Sequence, residues 1–235
     1  MAVREHIPFL AAFEDAVRPT GHLTSMASSA TLKAEMLAKF NRTYKIGYEL
    51  PFQSNVFWED ARVWAEITPS SGLIAWDVLG DARNIEVWTQ DPRETRLAAS
   101  VTFFTDHTGI AVGDQLTTVW VSWMPRTYKF DTTEWATAQS YVVGHVRTLA
   151  TSGDCYRCLT AHTSGTFATD LTAGNWVLMP VLEVLHEFLI RHLHATYLRE
   201  SGQVETGVKL QNEALGELLE IHRAELRRNR ETPKP

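Results

Sequence analysis

An α+β fold, a helical bundle with two β units set into its chain, follows from three observations on the 235-residue sequence. Apolar residues recur at three- and four-residue spacing near both ends. Between those ends, from about residue 53 to 178, the period falls to two, the signature of strands. Seven of the eight tryptophans (Trp58, Trp64, Trp76, Trp88, Trp120, Trp123 and Trp135) lie in that middle region, with Trp176 at its far edge. Tryptophan favours β structure and interfaces.

Taken in order, residues 1–52 form an N-terminal arm and helix. Ile7-Pro8-Phe9-Leu10 is apolar and Arg18-Pro19-Thr20-Gly21 is turn chemistry. This stretch reads either as an arm that orders on a neighbour or as a short helix at 9–17. Ser28, Ser29 and Thr31 offer caps for a helix over 28–48. Its apolar set is Leu32, Met36, Leu37, Phe40, Tyr44 and Tyr48, and Pro51 closes it.

Residues 53–130 read as a β domain. Arg62 to Ile67 alternates, Pro69-Ser70-Ser71-Gly72 turns, and Leu73 to Trp76 follows. Asn84 to Thr89 is a strand ending at Asp91-Pro92. Ala99 to Thr105 and Gly109 to Val112 flank a hairpin loop at Asp106-His107-Thr108, and Leu116 to Met124 alternates up to Pro125. Five or six short strands with turns between them predict a small sandwich or barrel.

Residues 131–178 form a second β unit of two or three strands, too small for a strong core of its own. Residues 179–235 are a helix hairpin and a basic tail. Val181, Leu182, Val184, Leu185, Phe188, Leu189, Leu193 and Tyr197 trace the first helix, which stops at Ser201-Gly202. Val204, Val208, Leu215, Leu218, Leu219 and Leu226 trace the second, from about Gln203 to Arg228. The apolar stripe of this hairpin needs a partner, either the 28–48 helix or a neighbouring subunit.

The formal charge of −6 argues against a general nucleic-acid binder. From residue 223 onward, Arg223, Arg227, Arg228, Arg230 and Lys234 stand against Glu225 and Glu231. The body is therefore near −9 and the tail near +3. Such an end is either a docking extension or a solvated helix terminus. No run of 18 apolar residues occurs, and Arg4, Glu5 and His6 break any leader pattern. A soluble protein made in a reducing cytoplasm is expected, with no membrane partner.

Cys155-x-x-Cys158 with His162 offers three zinc-type ligands but no fourth. Cysteines three apart on a strand point to opposite faces, so one is expected in the core and one outside. His186-Glu187 lacks the second histidine of a zinc-protease helix, since position 190 is Ile190. No nucleophile elbow, phosphate loop or dinucleotide fingerprint is present. No metal, no cofactor and no enzymatic activity are expected.

The most patterned stretch is Trp135, Tyr141, Gly144, Val146, Gly153, Tyr156, Cys158, His162-Thr163-Ser164-Gly165, Phe167, Asp170-Leu171, Gly174 and Trp176. It resembles the small carbohydrate-binding module at the ends of bacterial chitinases, in particular versions found in tailed-phage structural proteins. The resemblance covers about a fifth of the chain. It implies sugar contact through Trp135, Tyr141, Tyr156 and Trp176, although the family's stacking tryptophan after the tyrosine strand is replaced here by Leu159-Thr160-Ala161-His162. The same four rings also fit a purely structural role.

The stretches from Asn41 to Tyr48, from Trp76 to Trp88 and from Tyr197 to Gln203 are similar, more loosely, to phage proteins of the head–tail neck. That resemblance implies a virion protein assembled in the host cytoplasm. It would be an adaptor forming a homo-oligomeric ring, twelve-fold in that group, with the portal on one side and another neck or tail protein on the other. Helix stripes and Trp-rich β surface would be buried between subunits. The alternative is a glycan-binding fibre or decoration protein contacting the host surface.

Overall fold

Ser29 caps the first long helix: its hydroxyl accepts a bond from the Leu32 amide at 3.2 Å, and helix runs from Ala30 to Glu49. The chain's structure, a computed structural model, describes residues 6–50, 62–79, 82–113, 116–125 and 129–231. It is mixed α and β throughout. The N-terminal stretch takes the helical of its two predicted forms. Helix α1 (Phe9–Val17) leads through a 3-10 turn (Arg18–Thr20) to α2 (Leu23–Ser28) and then to α3 (Ala30–Glu49). Phe9, Ala12, Phe13, Ala16 and Val17 are all buried, so this segment is part of the core rather than an arm.

Six strands follow, with one helical turn among them. They are β1 (Val63–Ile67), β2 (Leu73–Ala75), α4 (Trp76–Leu79), β3 (Ala82–Trp88), β4 (Phe104–Thr105), β5 (Gly109–Ala111) and β6 (Val119–Pro125). They make two antiparallel three-stranded sheets, β1-β6-β3 and β2-β5-β4, and no closed barrel among the described residues. Both sheets contribute to one apolar cluster, with Val63, Ile67, Val87, Val119, Val121 and Trp123 from the first and Ile74 and Ile110 from the second. Trp76, expected at the end of a strand, instead opens α4 and donates its indole N–H to the Asp106 carbonyl at 2.8 Å.

The 131–178 unit holds five short strands, β7 (Ser140–Tyr141), β8 (Val146–Thr148), β9 (Cys155–Cys158), β10 (His162–Thr163) and β11 (Trp176–Met179). It also contains a helix that periodicity did not reveal, α5 (Phe167–Thr172), capped by Thr166. Strand β9 is central in β11-β9-β8. Register pairs Cys155 with Met179 and Cys158 with Trp176. Opposed residues share a face, and here the first pair enters the helical core while the second enters the module's own core. The expectation of one buried and one outward cysteine is thereby corrected. The two sulfurs do point to opposite faces, but both faces are covered and both residues are fully buried.

The hairpin α6 (Glu183–Glu200) and α7 (Val204–Glu231) completes the chain. Helix α6 packs against α7, α1 and α3 and so sits at the centre of the bundle. Phe9, Phe13, Phe40, Tyr44 and Phe130 meet ring to ring, the closest pair being Tyr44 and Phe130 at 4.9 Å. Each such ring contributes roughly 2–3 kcal/mol through burial. Close helix approach uses glycine: a Cβ at Gly47 would lie 2.8 Å from the Phe188 ring.

Candidate functional site

The four aromatics expected to stack on sugar are brought together, but they face one another. Tyr141 and Trp176 are each 3% exposed and meet edge to face at 5.0 Å. Trp135 and Tyr156 are half-buried and both pack on Phe167, at 5.5 and 4.7 Å. The Tyr141 hydroxyl bonds the main chain of Ala136. These rings fill a core of about 45 residues that would otherwise be too small to hold itself. Tyr141 and Trp176 present no open face, which corrects their reading as a stacking platform. Phe167 belongs to the patterned stretch but not to the expected site; it packs against Trp135, Tyr156 and Trp176 at the centre of this cluster.

Around the rings lies a chain of polar groups. The Trp176 indole N–H donates to Nε2 of His162 at 3.3 Å, so the other ring nitrogen, Nδ1, carries the proton toward the Thr160 carbonyl at 2.7 Å. Asp170, 6% exposed, places Oδ2 at 3.4 Å from the same Nε2. The Cys158 sulfur stands 3.9 Å from Nδ1 and donates to the Thr160 carbonyl at 3.1 Å.

Sulfur, imidazole and carboxylate in sequence have the order of a nucleophile, its base and an orienting acid. The geometry does not support that use. Nδ1 is committed to a carbonyl, the sulfur is closed off from solvent, and burial holds the Cys158 thiol above its ordinary range. Cys155, on the opposite face, is pushed up to about 11 by burial. The two cysteines enter different cores and cannot chelate one ion with His162. No cluster of three metal-type side chains occurs among the described residues.

A cleft of about 680 Å³ runs along the seam where α3, sheet β1-β6-β3 and sheet β11-β9-β8 meet. Two of its cations are already engaged, Arg157 across the seam and Arg147 within the 131–178 unit. Arg157 donates to the main-chain carbonyls of Leu79 and Asp77 at 3.1 and 3.0 Å, and Arg147 lies over the Tyr141 ring. Asn41 of α3 donates to the Phe130 carbonyl and accepts from the Phe130 amide, at 3.0 and 2.8 Å.

The predicted docking residues lie at the end of α7. This helix has 28 residues against 18 in α6, so its length is about 42 Å against about 27 Å. The ties Arg191–Glu217 and Arg199–Gln211 set the hairpin register. From that register the start of α6 lies opposite residues 225–227, so about five residues of α7 run past it. Arg223 and Arg227 are exposed near this end of α7, and Arg223 is ion-paired with Glu220. Arg228 and Arg230 lie on the same helix, but their side chains, like the whole of Lys234, fall outside the described residues. Farther back, Val204, Val208 and Leu219 stay 53, 39 and 37% exposed on one side of α7. No described helix is long and apolar enough to cross a membrane.

Comparison with protein-family models, with curated proteins and with solved structures finds no match for this chain.

Proposed function

We propose that this chain is a structural, non-enzymatic subunit of a tailed-phage virion, a head–tail adaptor that forms a homo-oligomeric ring and docks on the portal. The observation that carries the reading is helix α7. It leaves an apolar stripe (Val204, Val208, Leu219) outside the bundle and extends a basic end beyond its hairpin partner. A subunit that repeats one heterologous contact forms a ring where the rotation closes, and an exposed apolar helix face suits such a contact. The basic end, on a body of opposite charge, is the docking element. The competing assignment, glycan capture by Trp135, Tyr141, Tyr156 and Trp176, lacks support because those rings serve the module's interior.

Electron microscopy and mass measurement of the purified full chain test this directly. Closed rings of a single subunit type are expected, together with retention on isolated portal. A protein that stays monomeric at every concentration and ignores the portal would sink the proposal.

A further inference from the structure

The outer face of sheet β1-β6-β3 differs from its core face. Register places Trp64 opposite Ser122, Trp120 between Glu66 and Trp88, and Glu86 opposite Ser122. Opposed residues share a face, so Trp64, Trp88 and Trp120 all lie on the side away from Val63, Val87 and Val121. All three are half-buried. Arg93, gripped by the Asp91 carboxylate at 2.6 Å, lies over Trp64 and Trp120 at 4.9 and 5.4 Å from the ring centroids. This fixes the rings before any ligand arrives.

A cleft of about 400 Å³ opens beside Trp120, lined by the carboxylates of Glu66 and Glu94 and the hydroxyls of Thr89, Thr95 and Thr118. Its volume is that of a small-molecule site. Glu66 and Glu94 are exposed and have no ion or hydrogen-bond partner among the described residues. The Thr89 and Thr95 oxygens accept from the amides of Ala99 and Leu97 at 3.1 Å, which leaves each O–H free to donate.

We infer that this face is a carbohydrate-binding site for a neutral oligosaccharide. An indole beside acceptor carboxylates and donor hydroxyls matches a pyranose, which pairs an apolar C–H face with equatorial hydroxyls. A flat apolar peptide would leave the two carboxylates buried and unpaired. Trp88, directly across from Trp120 on the neighbouring strand about 4.8 Å away, continues the platform for a second sugar ring. The site does not rest on the adaptor reading, which is carried by helix α7 and not by this sheet.

The test titrates the full-length protein with chitotetraose, cellotetraose and maltotetraose, and with their monosaccharides, by tryptophan fluorescence and calorimetry. Saturable binding of at least one tetrasaccharide is expected. Trp120→Ala should weaken it roughly ten-fold, and the gentler Glu66→Gln, which keeps the shape, also roughly ten-fold. Trp135→Phe, in the module, should leave it unchanged. Lack of binding by all the sugars would overturn the assignment. So would binding lost in Trp135→Phe and kept in Trp120→Ala, or a monosaccharide bound as tightly as its tetramer. A Trp120→Ala protein that binds sugar normally but no longer assembles would make the face a subunit contact instead.

Discussion

Asn41, on α3, holds the main chain of Phe130 from both sides, donating to its carbonyl at 3.0 Å and accepting from its amide at 2.8 Å. Phe130 in turn seats its ring among Phe9, Phe40 and Tyr44. One carboxamide therefore fixes the point where the β domain passes into the module and ties it to the bundle. Asn41→Ala removes both bonds to the Phe130 main chain, which costs about 1–3 kcal/mol each at most. A lower urea midpoint with an unchanged slope is the expected result, whereas Asn41→Ala with the parent midpoint would show that water replaces the carboxamide fully.

Two glycines of α7 are expected to respond in opposite directions. A Cβ at Gly207 would stand 2.7 Å from the Ala195 carbonyl oxygen and 2.5 Å from Cγ of Arg199, so α6 and α7 would have to part. Gly207→Ala should lose about 1–3 kcal/mol to overpacking despite the better helix former. At Gly216 nothing lies within 4 Å, and Gly216→Ala should gain about 1 kcal/mol. Thermal unfolding of the two variants checks both signs.

Acid should weaken the bundle through His192 and His222. Both are buried, and burial holds both imidazoles below their ordinary value, with the Arg199 charge adding to the effect at His192. A histidine with a lowered folded value binds its proton more readily when unfolded. Stability is therefore full above about pH 6.5 and falls as pH drops from there through the folded value. The His192 ring meets Gln211 at 3.1 Å and Thr43 at 3.5 Å, contacts suited to a neutral ring. Melting temperature measured from pH 7.5 to 5 should fall, and His192→Gln should flatten the slope. A slope identical to the parent's would remove His192 from this account.

Charge reversal at the end of α7 separates docking from folding. Arg223→Glu with Arg227→Glu alters exposed positions, so stability should change by less than about 0.5 kcal/mol. Affinity for the isolated portal should fall roughly ten-fold or more, and the parent's affinity should decline with added salt. Salt-independent binding equal to the parent's would mark the basic end as a plain solvated terminus.

Much of this architecture was legible because one face of each element was apolar. Met36, Phe40, Tyr44 and Tyr48 mark the buried side of α3, and Val63 and Ile67 mark that of β1. Strand β9 and sheet β1-β6-β3 defeated the same reasoning, since apolar residues occupy both faces. Period two cannot say that Cys155 and Cys158 enter separate cores, or that Trp120 turns outward while Trp123 turns in. Trp176 and Trp120 look alike in sequence. Only the neighbours that fold onto them, His162 and Tyr141 in one case and Arg93 in the other, make the first interior and the second a surface ring. Asn41 and Phe130 are 89 positions apart, and no local pattern connects them.

The adaptor proposal is tested most directly by electron microscopy of the purified full chain, with the same protein then located in intact virions. The account predicts closed single-subunit rings, found at the neck between head and tail. A monomer that forms no ring, or a chain located in a tail fibre or on the capsid face, would contradict it.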